Sequence, residues 1–300
     1  MNLSGRAVFP RPLETIIILY LSVLNALLII YRENLYEWKI FFIIHTAAII
    51  AVYFIGTADL KGRKKLIFLR DWYVILSFIF LYNELGNFMQ LVSNYYDPLI
   101  IKTEGAIFAF QPSLKFSEYF NNPLIADIMH FFYFSYYGLI PGIAFILYMH
   151  KKYDIFRAFI FTTSLTFFAH YITFIVFPVA CPRFALINAI EGPIRGIFFS
   201  AFVQRLIDTA DIMGGGFPSS HVAVAFVVLL FTMKYERPSY WIFLIFVIGL
   251  VFSTVYGRFH YALDAVAGAI FGFLFFYVGP PVFTRLYKIH ERTKLSPRGN

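Results

Sequence analysis

Two stretches hold the residues with the clearest chemical potential: Gly214-Gly215-Gly216-Phe217-Pro218-Ser219-Ser220-His221 and Arg258-Phe259-His260-Tyr261-Ala262-Leu263-Asp264. Three glycines let the first stretch turn freely, and Pro218 suits a first helical turn. A helix starting there points unpaired N–H groups, with the Ser219 and Ser220 hydroxyls beside them, at one spot that favours an anion. In the second stretch His260 and Asp264 are four apart. On a helix they share a face, and the carboxylate can hold the imidazole. Phosphoryl transfer needs an in-line nucleophile, positive groups around the equatorial oxygens and a proton for the leaving oxygen. His260, oriented by Asp264, has the features of the nucleophile. His221 is placed to protonate the leaving alkoxide and later to activate water. Arg183 and Arg258 offer bidentate forks for phosphate, and Ser219 and Ser220 add donors.

Other residues of the same types read differently. His45, His130, His150, His170 and His290 are each isolated in sequence and are expected to be structural. His221, His260 and Asp264 are also zinc-type ligands, but the neighbouring arginines repel a cation and suit phosphate, so neither metal nor organic cofactor is expected. Cys181 stands alone, which excludes an internal disulfide framework and leaves it as a small buried hydrophobe.

The elements that must position these groups follow from composition. The chain has 300 residues, of which 60% are hydrophobic, 21% aromatic and only 14% charged. Soluble domains carry about a quarter charged residues, so this chain reads as an integral membrane protein. The net charge of +8 sits in short loops between apolar runs, which argues for membrane topology and against nucleic acid. Spans are expected at residues 13–30, 41–55, 72–92, 125–148, 156–177, 222–233, 240–255 and 261–278. The third carries Asn83 and Glu84, which are expected to face the bundle interior. The fourth carries Pro141-Gly142 as a kink. Residues 1–92 form a set of N-terminal spans, and residues 93–122, with Pro98 and Pro112, read as an irregular non-cytoplasmic loop or lid. Residues 123–284 form a catalytic helical core, and 285–300 a basic cytoplasmic tail. A short interfacial helix is expected near 198–207. No cleavable signal pattern precedes the first run, which is expected to stay in the membrane.

Eight spans put both termini on one side. That side carries seventeen Lys and Arg and the other eight, so the richer side is cytoplasmic by the positive-inside rule. Arg183, His221, His260 and Asp264 then fall together on the opposite face.

Three motifs carry a family resemblance: Phe177-Pro178-Val179-Ala180-Cys181-Pro182-Arg183, Phe217-Pro218-Ser219-Ser220-His221 and Tyr256-Gly257-Arg258-Phe259-His260-Tyr261-Ala262-Leu263-Asp264. On these the chain resembles the type 2 phosphatidic acid phosphatase (PAP2) superfamily, and in particular its inositol phosphorylceramide synthase-like branch. The resemblance implies a polytopic helical bundle with a PAP2-like core and a site facing away from the cytosol. It further implies that His260 becomes phosphorylated, that His221 serves as acid and base, and that Asp264 supports the nucleophile. Three departures stand out. Ser220 replaces the glycine of the second motif. Thr254 occupies the position where the third motif has arginine. No lysine lies upstream of Pro182-Arg183.

Three functions are compatible with these residues. The first is a membrane phosphatase acting on an amphiphilic phosphate monoester or diphosphate through a phosphohistidine. The second is a lipid phosphotransferase that passes the group to an acceptor alcohol. The third, a transporter binding an anion at the histidines, fits less well, because the polar set sits at span ends and no internal repeat is evident.

Overall fold

The computed structural model describes residues 8–91, 94–210 and 212–295. Twelve α-helices account for most of them. Three N-terminal helices, α1 (Pro12–Ile30), α2 (Trp38–Thr57) and α3 (Lys64–Phe88), precede two short ones, α4 (Asp97–Phe108) and α5 (Pro112–Tyr119). Long helices α6 (Pro123–Met149) and α7 (Tyr153–Val176) follow, then the short α8 (Pro182–Ala185) and α9 (Phe199–Ala210). The chain ends with α10 (Ser220–Tyr235), α11 (Tyr240–Tyr256) and α12 (Ala262–Leu295). No β-strand occurs among the described residues; Val179 makes isolated bridges to Gly214 and Gly215.

Seven helices are long and apolar enough to cross a membrane: α1, α2, α3, α6, α7, α11 and α12. The eighth expected span, α10, has 16 residues and is about 24 Å long at 1.5 Å per residue. That falls short of a bilayer core of about 30 Å. The shortfall is tolerated because α10 contacts α6, α7, α11 and α12 and buries Val222, Val224, Val227, Val228 and Phe231. Helix α7 is the other central element, with 72% of its apolar window buried, against 17% for α2 and for α3. Those two present their apolar residues outward, as lipid-facing helices do.

Close packing fixes the catalytic ends of α10 and α12. A Cβ at Gly268 would overlap the Ser219 carbonyl, and one at Gly272 would lie 2.5 Å from the Ala223 carbonyl. Glycine at this four-residue spacing lets the two backbones approach directly. The Ser219 amide then donates to the Asp264 carbonyl at 3.0 Å.

The structure meets some of the expectations and departs from others. Residues 97–119 form two helices where an irregular loop or lid was expected. Pro98, Pro112 and Pro123 sit at the first or second position of their helices, where a missing N–H costs nothing. The basic segment from 285 onward is not a separate tail, since α12 runs on through Pro280 and Pro281 to Leu295; residues 296–300 lie outside the described residues. Helix α6 continues through Pro141, and α9 occupies the place of the short interfacial helix. Glu84 faces the interior, 2.7 Å from His45 Nε2, while His45 Nδ1 lies 3.0 Å from Asn25 Oδ1.

Candidate functional site

Ser219, not Pro218, starts the helix that carries His221. Pro218 lies before the N-cap, after a cis peptide bond, and Ser219 caps α10 by accepting from the Val222 amide at 3.4 Å. Ser219 and Ser220 are both buried. His221 therefore projects from the first turn of α10.

His260 is not helical either. It follows a turn in which the Thr254 carbonyl accepts from the amides of both Phe259 and His260, each at 3.0 Å. Arg258 takes a φ of 61° in that turn. Helix α12 begins only at Ala262, and Asp264 Oδ2 reaches back to the Tyr261 amide at 2.8 Å, as an acidic residue in a first turn does. The same oxygen lies 3.5 Å from His260 Nδ1. The shorter contact of Nδ1 is the Gly216 carbonyl at 2.9 Å. A carbonyl only accepts, so Nδ1 carries the proton and Nε2 presents its lone pair. Gly216 itself is held by a bond from its amide to the Val179 carbonyl at 2.9 Å; a Cβ there would sit 2.6 Å from that oxygen.

The two imidazoles meet. His260 Nε2 is 3.4 Å from His221 Nδ1, and His221 Nε2 is 3.4 Å from the Tyr133 hydroxyl on α6. One protonation pattern satisfies the whole row: Tyr133 donates to His221 Nε2, His221 Nδ1–H donates to His260 Nε2, and His260 Nδ1–H donates to Gly216. Sequence reasoning missed Tyr133 and Gly216. One tyrosine among 21 carries no signal, and a carbonyl contributed by the glycine turn is a tertiary event. Tyr136 also packs on the His221 ring, with centroids 4.4 Å apart.

The arginines divide. The Arg183 amide donates to the Arg258 carbonyl at 3.1 Å, which pins α8 two residues from His260. The Arg183 guanidinium packs over Phe184 and lies 3.8 Å from Asp208. The Arg258 guanidinium is buried elsewhere: Nε donates to Ser117 on α5 at 2.9 Å and Nη1 to the Gly192 carbonyl at 3.0 Å. Burial lowers its pKa from the usual arginine value. Those contacts make Arg258 a fastener between the His260 turn and α5.

Beside His221 opens a cavity of about 340 Å³, lined by Ser220, His221, Tyr133, Tyr171, Phe167 and Ile207 among others. Its outer wall includes Leu76 and Ile79 of α3 and Tyr137 of α6, all exposed on the lipid-facing surface. The polar pair thus stands at one end of an apolar pocket that lies between helices.

Residues 100–278 match the sequence profile of the PAP2 superfamily. The chain belongs to that superfamily. A PA-phosphatase related-family protein of Dictyostelium discoideum is 30% identical over 115 residues, which is 37% of this chain. The matched segment covers 21% of that relative's own length. No solved structure matches the chain. The superfamily match runs from Ile100 within α4 to Val278, halfway along α12, so the motifs of this PAP2 chain, most of α4 and all of α5 fall within one matched region.

The remaining histidines have structural partners. His130 Nδ1 and His170 Nδ1 contact the carbonyls four residues earlier, at 2.6 and 2.7 Å. His150 lies 3.2 Å from Glu236, and His290 Nδ1 is 2.6 Å from the Phe9 carbonyl. Cys181 is buried, at a φ of 81° before α8.

Proposed function

We propose that this PAP2 chain is a membrane lipid phosphatase that hydrolyses a phosphate monoester or diphosphate of an amphiphile through a phosphohistidine on His260. The supporting observation is the meeting of His260 Nε2 and His221 Nδ1 at 3.4 Å, at the end of an apolar cavity between helices. The aliphatic part of the substrate lies in that cavity and brings its phosphate to the imidazoles, which part to admit it.

In the first step the Nε2 lone pair attacks phosphorus. The P–O bond to the alcohol breaks, and His221, which with the phosphate bound enters this step as the imidazolium, gives its Nδ1 proton to the departing alkoxide and is left neutral. In the second step His221 takes a proton from water, the water oxygen attacks phosphorus, and the N–P bond breaks to return His260 and inorganic phosphate. Asp264 stabilises the charge that His260 gains. Arg183, Ser219 and Ser220 are the candidates to hold the equatorial oxygens, and Arg258 acts mainly through the turn it fastens. No step calls for a metal or cofactor. The charge asymmetry of the loops supports a site on the non-cytoplasmic face.

One observation favours a second reading. The apolar cavity touches His221, the residue assigned to protonate the departing alcohol. An alcohol with its own apolar tail, seated there, takes the place of water in the second step. The enzyme is then a phosphotransferase like the inositol phosphorylceramide synthases. The test is purified protein given a panel of lipid phosphates with and without acceptor alcohols, reading free phosphate and transfer product. Phosphate release that disappears in His260→Ala is expected. Undiminished release in that variant rules the mechanism out.

A further inference from the structure

Resting on the histidine chemistry above, we propose that the non-spanning helix α4 is a brace, and that its buried acids Asp97 and Glu104 are positioning residues that hold His260 and Asp264 in place. The two acids are seven residues apart and, with Ile100 between them, share one face of α4. All three are buried, while Lys102, Ala106 and Ile107 on the other face are exposed.

Each acid grips a different segment of the site. Asp97 Oδ1 accepts from the Tyr261 hydroxyl at 2.9 Å, and Oδ2 accepts from the Ala180 amide at 2.7 Å. One carboxylate thus ties the residue after His260 to the turn before Arg183. Glu104 Oε1 accepts from the Leu263 amide at 3.0 Å, so it holds the first turn of α12 one residue from Asp264. The Tyr96 amide adds a bond to the Pro178 carbonyl at 2.9 Å. Around these bonds Ile100, Val179 and Tyr261 form a small hydrophobic cluster of their own, separate from the main core. A satellite core packed around the catalytic loop secures that loop from outside the spanning bundle.

Stability alone does not account for the choice of residues. A buried carboxylate without a cation is costly, and among the described residues neither acid is paired with a Lys or Arg side chain. Glu104 Oε2 and Asp264 Oδ1 are both buried without a hydrogen-bond partner among the described residues. Burial, with the Asp264 charge adding to it, pushes the Glu104 carboxyl up to about 7. Burial likewise raises Asp97. An acceptor of fixed direction is what these acids supply to backbone amides that must not move. The charged group that bears on Glu104 is Asp264 of α12.

The test uses the full chain in lipid vesicles, with Glu104→Ala, Glu104→Gln and Tyr261→Phe. Glu104→Ala leaves the Leu263 amide without its acceptor; kcat is expected to fall by up to about a hundredfold, the scale of a small misplacement, with KM nearly unchanged. Glu104→Gln keeps an acceptor oxygen and restores most of kcat. Tyr261→Phe, which removes only one hydroxyl, is expected to lower kcat about threefold to tenfold. Amide exchange at Ala180, Leu263 and Asp264 is measured on the same proteins and is expected to quicken in Glu104→Ala. Unchanged kcat with a merely lowered melting temperature in Glu104→Ala, or a Glu104→Gln variant no more active than Glu104→Ala, overturns the brace. Should the wild type turn over no lipid phosphate, the phosphatase reading fails separately, and unchanged exchange still overturns the brace.

Discussion

Buried acids at the two ends of the bundle meet different partners. At the end away from the histidines, Glu14 pairs with Arg11 at 3.2 Å, and Asp71 is held by both Arg11 and Arg157 at 3.1 Å. Glu236 is held by Lys152 at 2.9 Å. At the histidine end Asp97, Glu104 and Asp264 meet amides, a phenol and an imidazole. Asp127 of α6, only partly buried, also accepts from the amides of Ile197, Phe198 and Ser200 where α9 begins. Ion pairs are tolerant of direction and clamp helices together. Bonds to amides are directional, and they fix where a backbone turn points. One end is built to hold and the other to aim, so damage at the first should cost stability and damage at the second should cost rate.

Three substitutions sharpen that contrast. His221→Ala, at the aiming end, removes the acid–base group and should lower kcat by about a hundredfold to ten-thousandfold. Its melting temperature should stay near that of the wild type in a scan of detergent-solubilised protein. Asp71→Ala, at the holding end, strips Arg11 and Arg157 of a carboxylate whose side chain is fully buried. Breaking a buried pair from one side costs about 3–5 kcal/mol; this should appear as a lowered denaturation midpoint, with unchanged kcat per folded molecule. Tyr133→Phe removes one hydroxyl 3.4 Å from His221 Nε2. It should reduce kcat roughly threefold to tenfold without moving KM, since the tyrosine orients His221 and does not bind the substrate tail.

The sequence shows the holding parts better than the aiming parts. Apolar runs long enough to span dominate the composition, so all eight long or apolar helices could be read from hydropathy, and Glu84 was expected inside because lipid rejects it. The three motifs carry His221, His260 and Asp264 in plain view. What stayed hidden depends on tertiary contact. Residues 97–119 read as irregular because Pro98 and Pro112 look like breakers, while in the fold they open helices. Asp97 and Glu104 belong to no motif on that polar segment, yet both are buried. His260 was expected on a helix with Asp264, whereas the Gly257–His260 turn puts it ahead of α12 and gives its Nδ1 to Gly216. Arg258 has the right type and position for a phosphate fork, yet its guanidinium is turned to Ser117 and Gly192.

The central claim is that one phosphorus is handed to His260 Nε2 with His221 on the opposite side. Rapid acid-free quenching of the enzyme with a lipid phosphate radiolabelled at phosphorus tests it most directly. A covalent, acid-labile label is predicted on His260 alone of the seven histidines, lost in His260→Ala and slow to form and to clear in His221→Ala. Label on any other residue, or label that persists in His260→Ala, contradicts the account.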